Sequence, residues 1–192
     1  MPHGVVAAIT PWNFPIYVAL GKIVPALAMG NSLVLKPSEV ASLGCLRLAE
    51  LAAAAGVPAG VFNVVTGRGP TCGRALAMHA GVDCLTFTGS TATGGQLMAC
   101  AGRSNLKALL LECGGKSPQV VFDDLGDIDA LAGALVDGFS WNSGQLCVAG
   151  TRILVARHLH ERLWEHLAGR VASLATGDPF DPATTLGPLA NR

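Results

Sequence analysis

The chain has 192 residues, enough for one domain and a fraction of another. Its 13 basic and 13 acidic residues cancel to a formal net charge of zero. No basic excess points to nucleic acid and no acidic run to a solvating tail, which makes small molecules the expected partners. Hydrophobic residues make up 51% and charged residues 14%, an apolar balance for so small a domain; part of its surface is expected to be covered elsewhere.

In chain order, short apolar runs alternate with helical stretches. "GVVAAIT" (4–10), "SLVLK" (32–36), "VFNVV" (61–65), "CLTFT" (84–88) and "KALLLE" (107–112) read as strands. Their Val, Leu, Ile and Phe content without polar alternation predicts burial on both faces. Between them the pattern predicts helices over Pro15–Met29, Ala41–Ala55, Pro70–His79 and Thr91–Ala101, with Pro15 suited to a first turn, Pro25 to a kink, and Gly56 and Pro58 as a stop. After Gly114 and Gly115 come a strand in "QVVFDD", a helix over Ile128–Trp141, a strand in "RILVA" and a helix over His158–Leu174. Strand–helix alternation of this kind predicts an α/β fold with a mostly parallel sheet and helices on both faces. Two domains are expected, 1–113 and 114–192.

The first 35 residues carry a single lysine or arginine, Lys22, but Pro11, Pro15, Pro25, Asn13 and Asn31 interrupt every long apolar window, so no transmembrane span is expected. "MPHGVV" lacks the basic start of a secretory signal, and a cytoplasmic location is expected. The cysteines at 45, 72, 84, 100, 113 and 147 show neither a CxxC pair nor a zinc-site histidine spacing. Reduced thiols and no metal site are expected, and one thiol is available as a nucleophile.

Polar residues gather where predicted strands end, the place where an open α/β sheet exposes its binding crevice. In "TPWNFP" (10–15) two prolines fix the backbone around Asn13, whose amide can aim at a developing oxyanion; the alternative is a rigid turn. "KPSE" sets Lys36, Ser38 and Glu39 beyond a strand, suited to ribose hydroxyls or to simple helix capping. "GRGPTCG" (67–73), with Gly69 and Gly73, and "FTGSTATG" (87–94), with Gly89, Ser90, Thr93 and Gly94, each follow a strand and open a helix, a setting for phosphate. Neither is G-x-G-x-x-G, and each alone reads equally as a tight turn. In "LLLECGGKSP" Glu112 ends an apolar strand, where burial would raise its pKa toward that of a general base. Cys147 lies in the glycine-bounded turn "GQLCVAG", placed for reach rather than packing. A thiol, a carboxylate and an amide in one crevice suit covalent catalysis on a carbonyl, and phosphate-suited turns add a dinucleotide and hydride transfer.

Taken together, "TPWNFP", "KPSE", "FTGST", "LECGGKSP" and "GQLC", in this order and at these separations, resemble the aldehyde dehydrogenase superfamily. The resemblance implies a Rossmann-like NAD-binding domain over 1–113 and the start of a catalytic domain over 114–192, in a chain less than half the usual length of the family. It implies Cys147 as the nucleophile that forms a thiohemiacetal and then a thioester, and Glu112 as the base for hydrolysis. It implies Asn13 and the Cys147 backbone N–H as oxyanion hole, and Lys22 as an aid to proton movement. Thr10, Pro11 and Trp12 would line the dinucleotide cleft, Lys36 and Glu39 meet the adenine ribose, Gly69 and Gly73 flank the adenine side, and Ser90 meet the pyrophosphate. Because a carboxylate accepting from the 2′-hydroxyl repels a 2′-phosphate, Glu39 favours NAD over NADP.

The implied substrate is an aldehyde, and family members are commonly homo-oligomers. Leu146 and "SWNS" (140–143) depart from the family's usual approach to the nucleophile, and the downstream glutamate-x-phenylalanine motif has no counterpart here. Two alternatives follow: a catalytically incomplete fragment or pseudoenzyme that keeps a nucleotide cleft or interaction surface, and a coenzyme A-acylating relative, against which Glu112 speaks.

Overall fold

A computed structural model describes residues 1–124 and 126–191. The chain divides into two compact units, Met1–Cys113 and Gly114–Arg192.

The first unit is built on five strands, β1 (Val5–Ile9), β2 (Ser32–Lys36), β3 (Phe62–Val64), β4 (Cys84–Gly89) and β5 (Ala108–Cys113), all parallel, in the order β3-β2-β1-β4-β5. The crossovers are α1 (Pro15–Ala28), α2 (Leu43–Ala54), α3 (Arg74–Met78), which follows a π-helical turn over Gly69–Gly73, and α4 (Thr91–Gly102). Pro15 opens α1 at its first turn, where no N–H is needed, and Pro25 lies inside the helix without ending it.

Apolar layers cover both sheet faces. Val6, Ala8, Leu33, Leu35 and Cys84 pack with Ala19, Ile23 and Ala26 of α1 and Cys45 of α2. Ala7, Ile9, Leu85 and Phe87 pack with Ala77 of α3 and Leu97 of α4. Burial on both faces holds for the central strands β1 and β4. It fails for β5, which alternates exposed and half-buried residues, with Leu110 61% exposed. As an edge strand β5 has a neighbour on one side only, and its Ala108–Leu110–Glu112 face meets no helix layer of the kind that covers Leu109 and Leu111.

In the second unit β6 (Pro118–Val121) and β7 (Arg152–Val155) pair in parallel, with α5 (Ile128–Ser140) and α6 (His160–Ala172) packed on a core of Val121, Ala132, Leu135, Val136, Leu163 and Leu167. The strand predicted through Asp124 stops at Val121, and Phe122 is 73% exposed. The Gln119 amide ties the unit together by donating to the carbonyls of Leu135 (3.0 Å) and Gly150 (2.8 Å). A Cβ at Gly150 would stand 2.5 Å from the Gln119 side chain, so only glycine fits there.

Candidate active site

The strand order reverses direction of growth at β1 and β4, and the crevice of such a sheet opens at the carboxyl ends of those strands. The predicted binding residues of the first unit follow the carboxyl ends of β1, β2, β3 and β4. Beyond β1, the Thr10 N–H donates to the Lys36 carbonyl (3.1 Å), and Pro11, Trp12 and Asn13 follow, half-buried. Thr10 is 3% exposed, and its hydroxyl has no hydrogen-bond partner among the described residues. A buried orphan hydroxyl at the switch point is what a ligand with its own polar groups would complete.

Beyond β2, Lys36 is 2% exposed, and its Nζ donates to the Pro37 carbonyl (3.0 Å) and lies 3.5 Å from Glu39 Oε2. Glu39 is itself exposed. Its own backbone N–H holds its carboxyl below the ordinary carboxylate range, and the Lys36 ammonium and the Gly69 N–H act in the same direction. Helix capping is not the task of this stretch, because α2 begins at Leu43 with Ser42 as its cap residue. Gly73 is buried, and a Cβ there would make ordinary contact with the Lys36 stem at 3.8 Å.

Beyond β4, the Ser90 hydroxyl caps α4, accepting from the Thr93 N–H (3.2 Å) and donating to Thr93 Oγ1 (2.9 Å). The first-turn N–H groups of α4 have no partner within the helix and carry its positive dipole end. Gly89 and Gly94 also answer packing needs: a Cβ at Gly89 would lie 2.5 Å from the Phe87 ring, and one at Gly94 3.0 Å from Cys113 Sγ. Arg74, Gln96, Cys100 and Arg103, which sequence reasoning passed over, join Gly69, Pro70 and Thr93 around a cavity of about 460 Å³ between α3 and α4.

Glu112 ends β5, and the expected burial is not found: it is exposed, because the edge strand leaves this face open. Lys22 is half-buried on α1, and its Nζ donates to Thr86 Oγ1 of β4 at 2.8 Å. Burial pushes the Lys22 pKa below the ordinary lysine value, and the Glu112 charge acts in the opposite direction. Thr86 was missed from sequence; its only signal is a hydroxyl in the middle of the apolar run "CLTFT".

Cys147 belongs to the second unit and is exposed. Just before it Asn142 (φ 51°), Ser143 (φ 55°) and Gly144 (φ 73°) all occupy the left-handed region, costly for the two non-glycine residues and a feature that clusters at functional sites. The turn is braced: Ser143 Oγ donates to the Gly187 carbonyl (2.9 Å), and Gln145 Oε1 accepts from the Ala190 N–H (2.9 Å). The other cysteines are buried or half-buried, and burial pushes the Cys45 and Cys84 thiols up. Among the described residues no group of three or more His, Cys, Asp and Glu side chains is placed to hold a metal, and no helix is long and apolar enough to cross a membrane.

The model of one protein family, described as the aldehyde dehydrogenase family, matches residues 1–192. The chain belongs to the aldehyde dehydrogenase family. Among its relatives are the NADP/NAD-dependent aldehyde dehydrogenase PuuC of Escherichia coli K12, 49% identical over 98% of the chain, and an aminoacetaldehyde dehydrogenase of Pseudomonas aeruginosa, 47% identical over 99%. The chain spans 38% of the length of each. The crystal structure of the aldehyde dehydrogenase KauB from Pseudomonas aeruginosa superposes on all of the chain with a TM-score of 0.95 and 48% identity, the chain covering 39% of it. An indole-3-acetaldehyde dehydrogenase in complex with NAD+ superposes on 99% with a TM-score of 0.95 and 49% identity, 38% of it covered.

Proposed function

We propose that this chain carries the cofactor-binding and nucleophilic parts of an NAD-dependent aldehyde dehydrogenase that oxidises an aldehyde to a carboxylic acid. The observation that carries the reading is the orphaned, buried Thr10 hydroxyl at the switch point of a sheet whose relatives include an NAD+ complex. Met1–Cys113 is the dinucleotide-binding domain and 114–192 the start of the catalytic one. Thr10, Pro11 and Trp12 line the cleft, Lys36, Ser38 and Glu39 take the adenine ribose, and Gly69 and Gly73 flank the adenine. Gly89, Ser90, Thr93 and Gly94 present the α4 N-terminus to the pyrophosphate. Bound NAD supplies the acceptor for the hydride that the carbonyl carbon loses.

The Cys147 thiolate attacks the aldehyde carbon and forms a thiohemiacetal, whose oxyanion is held by the Asn13 amide and the Cys147 N–H. Oxidation leaves a thioester on Cys147. Glu112, exposed on β5, takes a proton from the water that hydrolyses it, and Lys22 assists proton movement. NAD is favoured over NADP by the Glu39 carboxylate. All six cysteines are unpaired, in keeping with the reducing cytoplasm.

The test is NADH formation with a panel of small aldehydes, comparing the chain with Cys147→Ala. NADH formed by the parent and lost in the variant is the expected result. Equal NADH formation by both would remove Cys147 from its role, and none from a folded parent would leave the chain with a nucleotide cleft and no turnover of its own.

A further inference from the structure

The Lys22–Thr86 hydrogen bond joins residues 64 positions apart in sequence. Thr86 is paired with Leu110, and Thr88 with Glu112. Since side chains alternate along a strand, Thr86, Leu110 and Glu112 share the sheet face on which α1 packs over the inner strands and which lies open at β5. The buried residues around Thr86 on that face, Val6, Ala8, Leu33, Leu35 and Cys84, offer an ammonium no good acceptor. Thr86, 8% exposed, supplies a hydroxyl beside them. Its β-branch restricts χ1, so the oxygen points in a defined direction. The lysine stem is flexible, and Lys22, Thr86 and Glu112 line a cavity of about 640 Å³, so an unanchored ammonium would have room to wander.

We propose that Thr86 is a positioning residue, its hydroxyl anchoring the Lys22 ammonium on the sheet face next to the strand that carries Glu112. The assignment rests on the reading of Lys22 and Glu112 as the proton-handling groups. A hydrogen bond to the charged form favours that form, so Thr86 also opposes the effect of burial on Lys22. The other titratable groups on the cavity wall are Glu112 on β5, Cys84 on β4, and His3 and the Met1 amino group ahead of β1.

Brief acylation of the whole chain with acetic anhydride between about pH 7 and about pH 11, read by mass spectrometry, gives the pH midpoint at which Lys22 becomes reactive, whether or not the chain turns over. Thr86→Val and Thr86→Ala both lack the hydroxyl, and Thr86→Ser restores it. The midpoint is expected to fall by about one pH unit in the first two and to return in the serine variant, while exposed Lys116 keeps its profile. A midpoint unmoved in whichever hydroxyl-free variant folds, or unrestored by serine, overturns the assignment. The pH–rate profile for aldehyde oxidation is read in parallel: a shifted labelling midpoint with an unchanged profile keeps the anchoring and removes Lys22 from the reaction.

Discussion

Cys147 and Glu39 show how far a single side chain carries an inference. Cys147 is the exposed cysteine of the six, and three successive left-handed residues turn the chain just before it. A structural thiol would gain nothing from that backbone cost; a nucleophile gains reach. For Glu39, read as the ribose-binding carboxylate, the expected consequence is selectivity. Its carboxyl stays ionised because its own N–H, Lys36 and the Gly69 N–H all favour the charged form, so it can accept from a ribose hydroxyl and repel a phosphate at the same place. Glu39→Gln is expected to move the NAD-to-NADP affinity ratio toward NADP by about tenfold, roughly 1.4 kcal/mol. Titration of both dinucleotides against parent and variant checks it, and an unchanged ratio would take Glu39 out of the ribose site. Glu112 shows the limit of residue-level reasoning: an apolar run before a glutamate suggested burial, and strand order left it exposed.

Elements add partners that composition does not reveal. The α5–α6 pair is clamped by Asp129, which accepts from the Arg170 guanidinium, at 3.3 Å from its Nε and closer from Nη2, and stands 3.4 Å from His166 Nδ1. The Arg170 hydrogen bonds, then His166, hold the Asp129 carboxyl below the ordinary aspartate range. With a folded-state pKa below the unfolded one, Asp129 contributes stability that is present above the unfolded value and lost as pH falls through the folded one. Asp129→Asn should therefore lower the melting temperature near neutrality, and the gap to the parent should close only below about pH 4. Melting followed by circular dichroism across that range tests it; a gap that persists into strong acid would mean the clamp is not ionic. Element boundaries were legible where turn chemistry is local: Pro15 starts α1, and Asp127, accepting from the N–H groups of Asp129 and Ala130, caps α5. They were misjudged in "QVVFDD", where the apolar run continues into Phe122 past the end of the paired strand.

At the scale of the whole molecule, each unit has its own apolar core, two layers around the five-stranded sheet and one around β6 and β7. A unit with a closed core and its own hydrogen-bonded sheet meets the conditions for independent folding. Residues 1–113 expressed alone are expected to unfold cooperatively in urea and to keep dinucleotide affinity within about threefold of the full chain. A gradual, featureless transition would show that the first unit depends on the second. The apolar composition also finds its place at this scale: Tyr17 and Val24 of α1, Met29 just after it and Leu110 of β5 are each more than half exposed, in a chain that spans 38% of its relatives' length.

From sequence alone came the α/β class, the order of strands and helices, the family, and the short motifs at strand ends. These are properties of local pattern, since hydrophobic period, proline and glycine placement and motif spacing all act over a few residues. Tertiary structure alone decided that Glu112 lies on an open edge, that "KPSE" stands clear of the α2 cap, that Thr10 keeps an orphaned hydroxyl, and that Lys22 ends on Thr86. Each depends on which strands are neighbours and in what register, and on how a helix settles across them. Those relations join residues tens of positions apart, where no local pattern reaches.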